Sequence, residues 1–338
     1  MIFFRADSND IIASGHIMRC ISLASYFKEM KFDVLFLIAD NNAVPLLQEA
    51  DMPFCILNSK WDNLLSELDI VIPILQNEVS PILIIDSYSV NKEYIEKVSL
   101  YAKVCYLGSK KEYLGDLDCL INYSTDIDEL FYRVNYPRTK LLLGPSYAPL
   151  RKEFQNVEEH YNKTDIRILL TTGNSDPLNC TPKILQKLEE YKINEKCYID
   201  VVIGQMFKNV DVMVSRFNNS KNINFYRGTK LSLLMHNSSL AISANGTTVY
   251  ELASSHVPII SFSIVPEQVK SAETLSKLGV LKYAGQMYSN IEGCLTSIVT
   301  HILEFISKPS ELEILGKNAH RVIGGNGCEK IFNVISTL

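Results

Sequence analysis

The sequence predicts an α/β protein of two similar domains, each built on a parallel sheet that carries helices on both faces. Short apolar runs alternate with amphipathic segments along the whole chain. Continuous apolar strands separated by helices are typical of a parallel sheet covered on both sides. In addition, 338 residues exceed one typical hydrophobic core, so two domains are expected.

The first half of the chain contains the elements of one such domain. It opens on an apolar strand at residues 1–4, and its strongest strand is residues 81–85. The other expected strands are 33–38, 54–57, 104–107, 118–121 and 140–143, and the expected helices are 21–30, 43–50, 64–78, 92–101 and 126–133. A polar stretch at 152–163 then marks a boundary. We therefore place the first domain at residues 1–155 and the second at 156–338.

The second half restarts the same alternation. Strands are expected at 166–170, 198–203, 223–226, from 240 onward and at 258–264, with helices at 180–190, 231–237 and from 295 onward. The glycine-rich break at 324–327 precedes a final helix, which is a candidate to cross back to the first domain.

Composition excludes several classes of protein. Apolar residues make up 47% and charged residues 21%, as in an ordinary globular protein. The net charge is −5 and the basic residues are scattered, which argues against nucleic acid as a partner. No run approaches 18 apolar residues, and the chain enters a strand at once, so we expect no membrane span and a cytoplasmic location.

The cysteines indicate free thiols rather than a metal site. There are eight, mostly inside apolar runs, with no CxxC pair and no histidine at metal-ligand spacing. This pattern favours a reducing compartment and predicts no structural zinc.

The stretch from Arg5 to Cys20 predicts a strand, a loop and the first turn of a helix. A helix N-terminus favours phosphate, and Gly15 lets a ligand approach the backbone closely. His16 and Arg19 are three residues apart, so both side chains can project from one side of the helix. The pattern thus brings a base and a cation to one ligand. The alternative is that His16 packs a helix end and Arg19 is a solvated charge.

A second candidate pair follows the strand at residues 81–85. Asp86 and Tyr88 come directly after it, and ligands of open α/β sheets bind just beyond the carboxyl ends of the strands. The alternative is that Asp86 caps a helix and Tyr88 is a packing residue.

Two turns in the second half have the composition of nucleotide-binding turns. Each lies between an apolar strand and a helix and is rich in small polar residues, which suit phosphate and ribose contacts. Their candidate residues are Gly173, Asn174 and Ser175 in the first turn, and Ser243, Asn245, Gly246, Thr247 and Thr248 in the second. Glu251 lies one helical turn further on, where it could accept hydrogen bonds from a ribose diol. A capped helix with a solvated Glu251 is the alternative.

Two α/β halves with such turns suggest a nucleoside-diphosphate ligand in a cleft between the domains.

Three spaced motifs resemble those of a known family. They are Arg5-Ala-Asp-Ser with Gly15-His-Ile-Met-Arg19-Cys20, then Gly144-x-x-Tyr147-Ala-x-Leu-Arg151-x-x-Phe154, and finally Ser243-Ala-x-Gly246-Thr-Thr-x-x-Glu251. Together they resemble the PseG/SpsG nucleotide-sugar hydrolases of pseudaminic acid biosynthesis, which are relatives of MurG-like glycosyltransferases.

The resemblance implies a GT-B-like fold of two Rossmann-like domains with the ligand cleft between them. It also implies cleavage of UDP-2,4-diacetamido-2,4,6-trideoxy-β-L-altropyranose by water, without a metal or cofactor. His16 matches the family's active-site histidine and would be the general base. Asp86 and Tyr88 would position the sugar or the water. The expected substrate contacts are Arg5, Asp7, Gly15, Arg19, Tyr147, Arg151 and Gln268, and the turns named above would bind the nucleotide.

The chain departs from the family pattern at several turns. Family members usually carry glycine where this chain has Ala13, Asn174 and Asn245, and an Asn-Gln pair where it has Glu267-Gln268. A side chain added at such a turn can obstruct a phosphate, and a carboxylate facing a phosphate repels it.

Two other classes of function therefore stay open. One is a GT-B glycosyltransferase or a hydrolase of a different nucleotide sugar, and the other is a non-catalytic nucleotide-sugar binding protein. In each case the expected partner is a small nucleotide sugar, and the protein is expected to be a monomer or a weak dimer.

Overall fold

The structure, a computed structural model, describes residues 1–159 and 165–338. These form two compact units. The first contains Met1–Lys152 together with Asn326–Leu338, and the second contains Glu153–Gly325. Of the polar stretch expected at the boundary, positions 160–163 lie outside the described residues.

The first unit is a seven-stranded parallel sheet with helices. Its strand order is β3-β2-β1-β4-β5-β6-β7. The elements are β1 (Ile2–Ala6), α1 (Gly15–Glu29), β2 (Val34–Ile38), α2 (Val44–Glu49), β3 (Phe54–Ile56), α3 (Leu68–Gln76), β4 (Ile82–Asp86), α4 (Lys92–Val98), β5 (Lys103–Leu107), β6 (Cys119–Asn122), α5 (Glu129–Asn135) and β7 (Lys140–Leu143).

The second unit is a six-stranded parallel sheet with the order β10-β9-β8-β11-β12-β13. Its elements are β8 (Arg167–Thr171), α6 (Cys180–Glu190), β9 (Tyr198–Ile203), α7 (Val210–Phe217), β10 (Ile223–Arg227), α8 (Leu231–Asn237), β11 (Leu240–Ala244), α9 (Thr248–Ser254), β12 (Ile259–Ser263), α10 (Glu267–Lys277), β13 (Lys282–Gln286), α11 (Ile291–Ser307) and α12 (Ser310–Ile323).

The final helix, α13 (Gly327–Ile335), belongs to the first unit. It begins at a glycine because a Cβ at Gly327 would lie 2.1 Å from the carbonyl oxygen of Ala148. The Cys328 thiol also donates to the carbonyl oxygens of Ser22 and Leu150, each at 3.7 Å. The helix is therefore held by backbone contacts as well as by its apolar face.

Alternating side chains of the central strands build the cores. In β1, Phe4 lies in one buried cluster and Phe3 in another, on the opposite face of the first sheet. Burial on both faces explains why these strands are apolar without a period of two. The second unit has a core of its own, centred on residues such as Ile168, Ile242 and Phe262.

Two elements differ from the sequence-based expectation. Helix α7 was not expected, because its valines at positions 210, 212 and 214 favour strands rather than helices. The helix expected at residues 64–78 is instead a short 3-10 turn, Leu64–Glu67, followed by α3. This break places the Glu67 carboxylate in the interior, where it has a structural role described below.

Both sheets reverse their strand order beside the first strand. In the first unit β1 lies between β2 and β4, with Ala6 opposite Asp86. In the second unit β8 lies between β9 and β11, with Thr171 opposite Ser243. Ligands of open α/β sheets bind at such reversals, and the candidate residues lie at both.

Candidate functional site

The central feature of the first unit is a histidine–aspartate pair at the point where the strand order reverses. Nδ1 of His16 lies 2.5 Å from Oδ1 of Asp86. His16 is 5% exposed and Asp86 is 1% exposed. Because an ionised carboxylate only accepts hydrogen bonds, the proton of the neutral imidazole is assigned to Nδ1. Nε2 then carries a lone pair, and among the described residues it has no hydrogen-bond partner.

Asp86 is kept ionised by its neighbours. Burial alone would raise the pKa of this carboxyl. The Arg19 guanidinium and hydrogen bonds from Arg19 and His16 outweigh burial, so that the pKa of Asp86 lies below its usual value. The thiol of Cys20 also donates to Oδ2 at 3.6 Å.

Arg19 is engaged within the protein by all three of its nitrogens. Nε and Nη2 donate to the two oxygens of Asp86, the second at 2.5 Å, and Nη1 donates to the hydroxyl of Tyr123 at 2.9 Å. Its guanidinium carbon lies 5.5 Å from the centre of the Tyr123 ring. The sequence predicted a substrate contact for Arg19, and the structure places its fork on Asp86 instead.

Tyr88 lies on the outer side of the histidine. Its ring meets the His16 ring edge-on, with centroids 4.4 Å apart and an interplanar angle of 87°. Because Tyr88 is 61% exposed, it offers an aromatic surface and a hydroxyl beside the imidazole.

Arg5 was expected to contact the substrate, and the structure places its guanidinium in a buried hydrogen-bond network. The side chain is 0% exposed. It donates to both oxygens of Glu67, at 2.7 and 2.9 Å, and to Asp7 at 2.5 Å. Tyr94 and Ser59 also donate to Glu67, at 2.9 and 3.1 Å. This buried network ties the end of β1 to three later segments, and nothing in the sequence pattern singled out Glu67.

Asp7 joins that network to the edge of the sheet. One of its oxygens accepts from Arg5 and the other from the backbone N–H of Ala39, at 2.8 Å. Its expected role as a substrate contact therefore competes with two hydrogen bonds within the protein.

The loop from Ser8 to Ser14 leads into α1 and leaves the helix N-terminus without a side-chain cap. Ser14 forms no capping hydrogen bond, and the first turn has no acidic residue. The first N–H groups of α1, beginning at the exposed Gly15, therefore stay available to an anion. Ala13 adopts a left-handed conformation, with φ +54°, which explains why glycine suits this position.

Two further expected substrate residues lie near the end of the first unit's main segment. Tyr147 packs on the buried cluster beneath α1, with its ring 5.9 Å from Nζ of Lys330 in α13. Arg151 is half-buried three residues before Phe154.

In the second unit, the turn after β11 exposes backbone groups and no charged side chain. Ser243 is buried, and its hydroxyl donates to the carbonyl of Ala244 at 2.9 Å. Gly246 and Thr247 are exposed, Thr248 begins α9, and Glu251 is half-buried one turn later. The exposed part of this turn carries no charged side chain.

The asparagine that replaces a glycine in this turn points into the protein. Asn245 is buried, and its Nδ2 donates to the carbonyl of Gln268 at 3.1 Å. Gln268 is occupied as well, because its Oε1 accepts from the N–H of Ile264 at 2.8 Å. The side chain of Asn245 thus leaves the outer face of the turn open.

The turn after β8 is arranged in the same way. Gly173 has φ +94°, which only glycine adopts without strain. Oδ1 of Asn174 accepts from the N–H of Gln205 at 3.1 Å, and Ser175 is exposed. Asp176, which the sequence analysis did not single out, accepts from Cys180 and Thr181 at the start of α6, at 2.7 and 2.9 Å. Its charge is therefore used by the helix.

Within residues 1–159 and 165–338, no group of three or more histidine, cysteine, aspartate or glutamate side chains could hold a metal ion. All eight cysteines are free. In the same part of the chain, no helix combines the length and apolar character that crossing a membrane requires.

Three curated proteins are similar in sequence, although no protein-family profile matches the chain. An uncharacterised protein of Methanocaldococcus jannaschii is 23% identical over 75% of this chain, which spans about half (54%) of that relative. A UDP-2,4-diacetamido-2,4,6-trideoxy-β-L-altropyranose hydrolase of Campylobacter jejuni is 25% identical, over 57% of this chain and 67% of its own. The spore coat polysaccharide biosynthesis protein SpsG of Bacillus subtilis is 28% identical over 42% of each chain.

Solved structures share the fold over nearly the whole chain. MurG of Acinetobacter baumannii has a TM-score of 0.67 at 12% identity, covering 100% of this chain and 99% of its own. A UDP-N-acetylglucosamine 2-epimerase of Listeria monocytogenes, so named provisionally, has a TM-score of 0.68 at 11% identity, covering 99% and 96%. HepE of Anabaena, solved with UDP and glucose, has a TM-score of 0.58 at 10% identity, covering 100% of both chains. These likenesses confirm the predicted α/β fold class, with two Rossmann-like domains as in GT-B proteins.

Proposed function

Because the chain is a PseG/SpsG-like protein of the GT-B fold, we propose that it hydrolyses a UDP-sugar. The products are UDP and a free 2,4-diacetamido-2,4,6-trideoxyhexose, as in pseudaminic acid-type biosynthesis. The observation that carries this proposal is the His16–Asp86 pair, in which Nδ1 is tied to a carboxylate and Nε2 is left to act as a base.

The proposed reaction uses His16 as the general base. Nε2 accepts a proton from a water molecule while the oxygen of that water forms a bond to the anomeric carbon. The bond between this carbon and the phosphate oxygen breaks, and its electron pair leaves with UDP. Asp86 stabilises the imidazolium that forms, because its carboxylate already accepts the hydrogen bond from Nδ1. Tyr88, edge-on to the imidazole, positions the water or the sugar.

The second unit binds the nucleotide in this proposal. Backbone N–H groups and hydroxyls of the turns at 173–175 and 243–248 contact the diphosphate. Glu251 accepts hydrogen bonds from the ribose. The inward orientation of Asn245 and the hydrogen bond of Asn174 to Gln205 support this assignment, because neither side chain needs to obstruct the phosphates.

Substrate contacts in the first unit are assigned to the exposed part of its edge. Gly15 offers the N-terminal N–H groups of α1. Asp7, which follows β1 and is 6% exposed, stays a candidate contact. Tyr147 and Arg151, and in the second unit Gln268, remain candidates for sugar contacts. Arg5 and Arg19 are reassigned to support, since their guanidinium groups already bind carboxylates.

A glycosyltransferase is the second candidate, because MurG shares the fold over the full chain. A transferase would release UDP only when an acceptor is present, whereas a hydrolase needs water alone. The two proposals therefore differ in one controllable component of the reaction.

The test is NMR detection of UDP and free sugar from UDP-2,4-diacetamido-2,4,6-trideoxy-β-L-altropyranose without any acceptor. We expect turnover by the unmodified chain and a loss of about 10²- to 10⁴-fold in His16→Ala, the usual contribution of a general base. His301→Ala is the matched control, because His301 lies on α11 and pairs there with the exposed Glu304, far along the chain from the candidate residues of the first unit. Acceptor-dependent release would support the transferase, and full activity of His16→Ala would remove His16 as the base.

A further inference from the structure

We propose that Arg19 and Tyr123 are positioning residues that fix the Asp86 carboxylate and thereby keep the proton of His16 on Nδ1. This inference rests on the proposed function, in which Nε2 of His16 is the base. It adds Tyr123, which no sequence motif singled out, and it assigns Arg19 a role other than substrate binding.

Two groups with opposite hydrogen-bonding roles lie beside Nδ1 of His16. Oδ1 of Asp86 lies 2.5 Å away and can only accept a hydrogen bond, whereas Nη2 of Arg19 lies 3.2 Å away and can only donate one. The carboxylate therefore favours a proton on Nδ1, and the guanidinium alone would favour a bare Nδ1. Since a neutral imidazole carries a single proton, the outcome at Nδ1 decides whether Nε2 has a lone pair.

The proton stays on Nδ1 because the Arg19 guanidinium already donates its hydrogen bonds to the Asp86 carboxylate. Nε and Nη2 donate to the two different carboxylate oxygens, which fixes the plane of the carboxylate as well as its position. A lysine at this position would supply the charge but not the two parallel hydrogen bonds.

Tyr123 holds Nη1, the nitrogen of the Arg19 guanidinium that does not bind Asp86. Its hydroxyl accepts from Nη1 at 2.9 Å, and its ring lies 5.5 Å from the guanidinium carbon. The residue follows β6 directly, and Asp86 ends β4. Two strand ends and α1 thus converge on one guanidinium, and the chain of contacts runs from Tyr123 through Arg19 and Asp86 to His16.

The direct readout is the ¹⁵N NMR spectrum of the imidazole nitrogens, recorded without substrate. The unmodified chain is expected to show a protonated Nδ1 and an unprotonated Nε2 at neutral His16, with the signals assigned by their loss in His16→Gln. In Asp86→Asn the carboxylate is gone and Arg19 is free to donate to Nδ1, so we expect the proton to move to Nε2.

Tyr123→Phe and Arg19→Lys test the two positioning residues. Each is expected to shift the His16 signals toward a mixture of tautomers and to lower kcat. For Tyr123→Phe we expect a loss of about tenfold, the low end of the range for one hydrogen bond to a charged group. KM is expected to stay unchanged. Tyr136→Phe is the matched control, because it removes a hydroxyl of the same unit that donates to the carbonyl of Glu112 and accepts from the N–H of Leu114.

Several outcomes overturn the proposal. One is an unmodified chain with its proton on Nε2, and another is a Tyr123→Phe chain with normal tautomer signals and normal kcat. An equal effect of Tyr136→Phe on the His16 signals would show a general structural effect instead. Arg19→Gln keeps the test informative if Arg19→Lys does not fold. If the tautomer responds as expected while no UDP-sugar is turned over, the positioning inference stands and the proposed function fails.

Discussion

The two units share a parallel-sheet topology, yet their candidate edges are chemically opposite. At the first edge, charged side chains surround the strand ends: Arg5, Asp7, Glu67 and Asp86 are buried, and Arg19 is half-buried. At the second edge, the exposed turn residues are neutral, and Asp176 is used to cap α6. The fold is therefore not what separates the two edges, since the difference lies in a few side chains.

This contrast indicates that one edge suits proton transfer and the other suits binding of a diphosphate. A group that moves a proton must be held in one orientation, and buried ion pairs with several hydrogen bonds provide that. A group that holds a diphosphate needs accessible N–H groups and no added negative charge. On this view the first unit supplies the chemistry and the second supplies the binding.

Removing one charge from the first edge should have the largest effect. Arg5→Met leaves Asp7 and Glu67 buried without their cation, so we expect a loss of about 3–5 kcal/mol in the free energy of unfolding. Urea denaturation followed by circular dichroism measures it. Lys97→Met removes an exposed pair with Glu93 and should cost about 0–1 kcal/mol. Equal losses in the two variants would mean that the buried network does not hold the edge together.

A methyl group added at Gly246, at the second edge, should lower UDP affinity without lowering the free energy of unfolding. A Cβ at Gly246 would meet no atom of the protein within 4 Å, and the residue does not have a positive φ. Gly246→Ala should therefore leave stability unchanged or raise it by about 0.4–1 kcal/mol. UDP affinity should fall, because the methyl group lies where the phosphates approach the backbone. Calorimetry measures both, and undiminished affinity would place the diphosphate elsewhere.

The smallest expected effect concerns the left-handed backbone positions of the two edges, which carry different residues. The second edge has glycine at its left-handed position, Gly173, whereas the first has Ala13 at φ +54°. Ala13→Gly should relieve a cost of about 1–2 kcal/mol, partly offset by the greater flexibility of glycine in the unfolded chain. We expect a net gain in the free energy of unfolding of up to about 1 kcal/mol, measured by urea denaturation. A loss of stability would show that Ala13 is not strained.

The sequence carried most of the fold because burial on both sheet faces leaves a clear apolar pattern. It also located His16 in the first turn of a helix and Asp86 at the end of a strand. Their contact depends on β1 and β4 being neighbours, a long-range pairing that local patterns do not encode. Glu67 was missed for the same reason, since it lies 62 residues from Arg5, and so was Tyr123, which is 104 residues from Arg19.

The most direct test of this division of labour measures turnover and UDP affinity side by side for His16→Ala and Gly246→Ala. The account predicts that His16→Ala loses about 10²- to 10⁴-fold in turnover while its UDP affinity stays close to that of the unmodified chain. Gly246→Ala should lose UDP affinity. A His16→Ala chain that loses UDP affinity as strongly as turnover would contradict the account, because His16 would then be a binding residue and not the base.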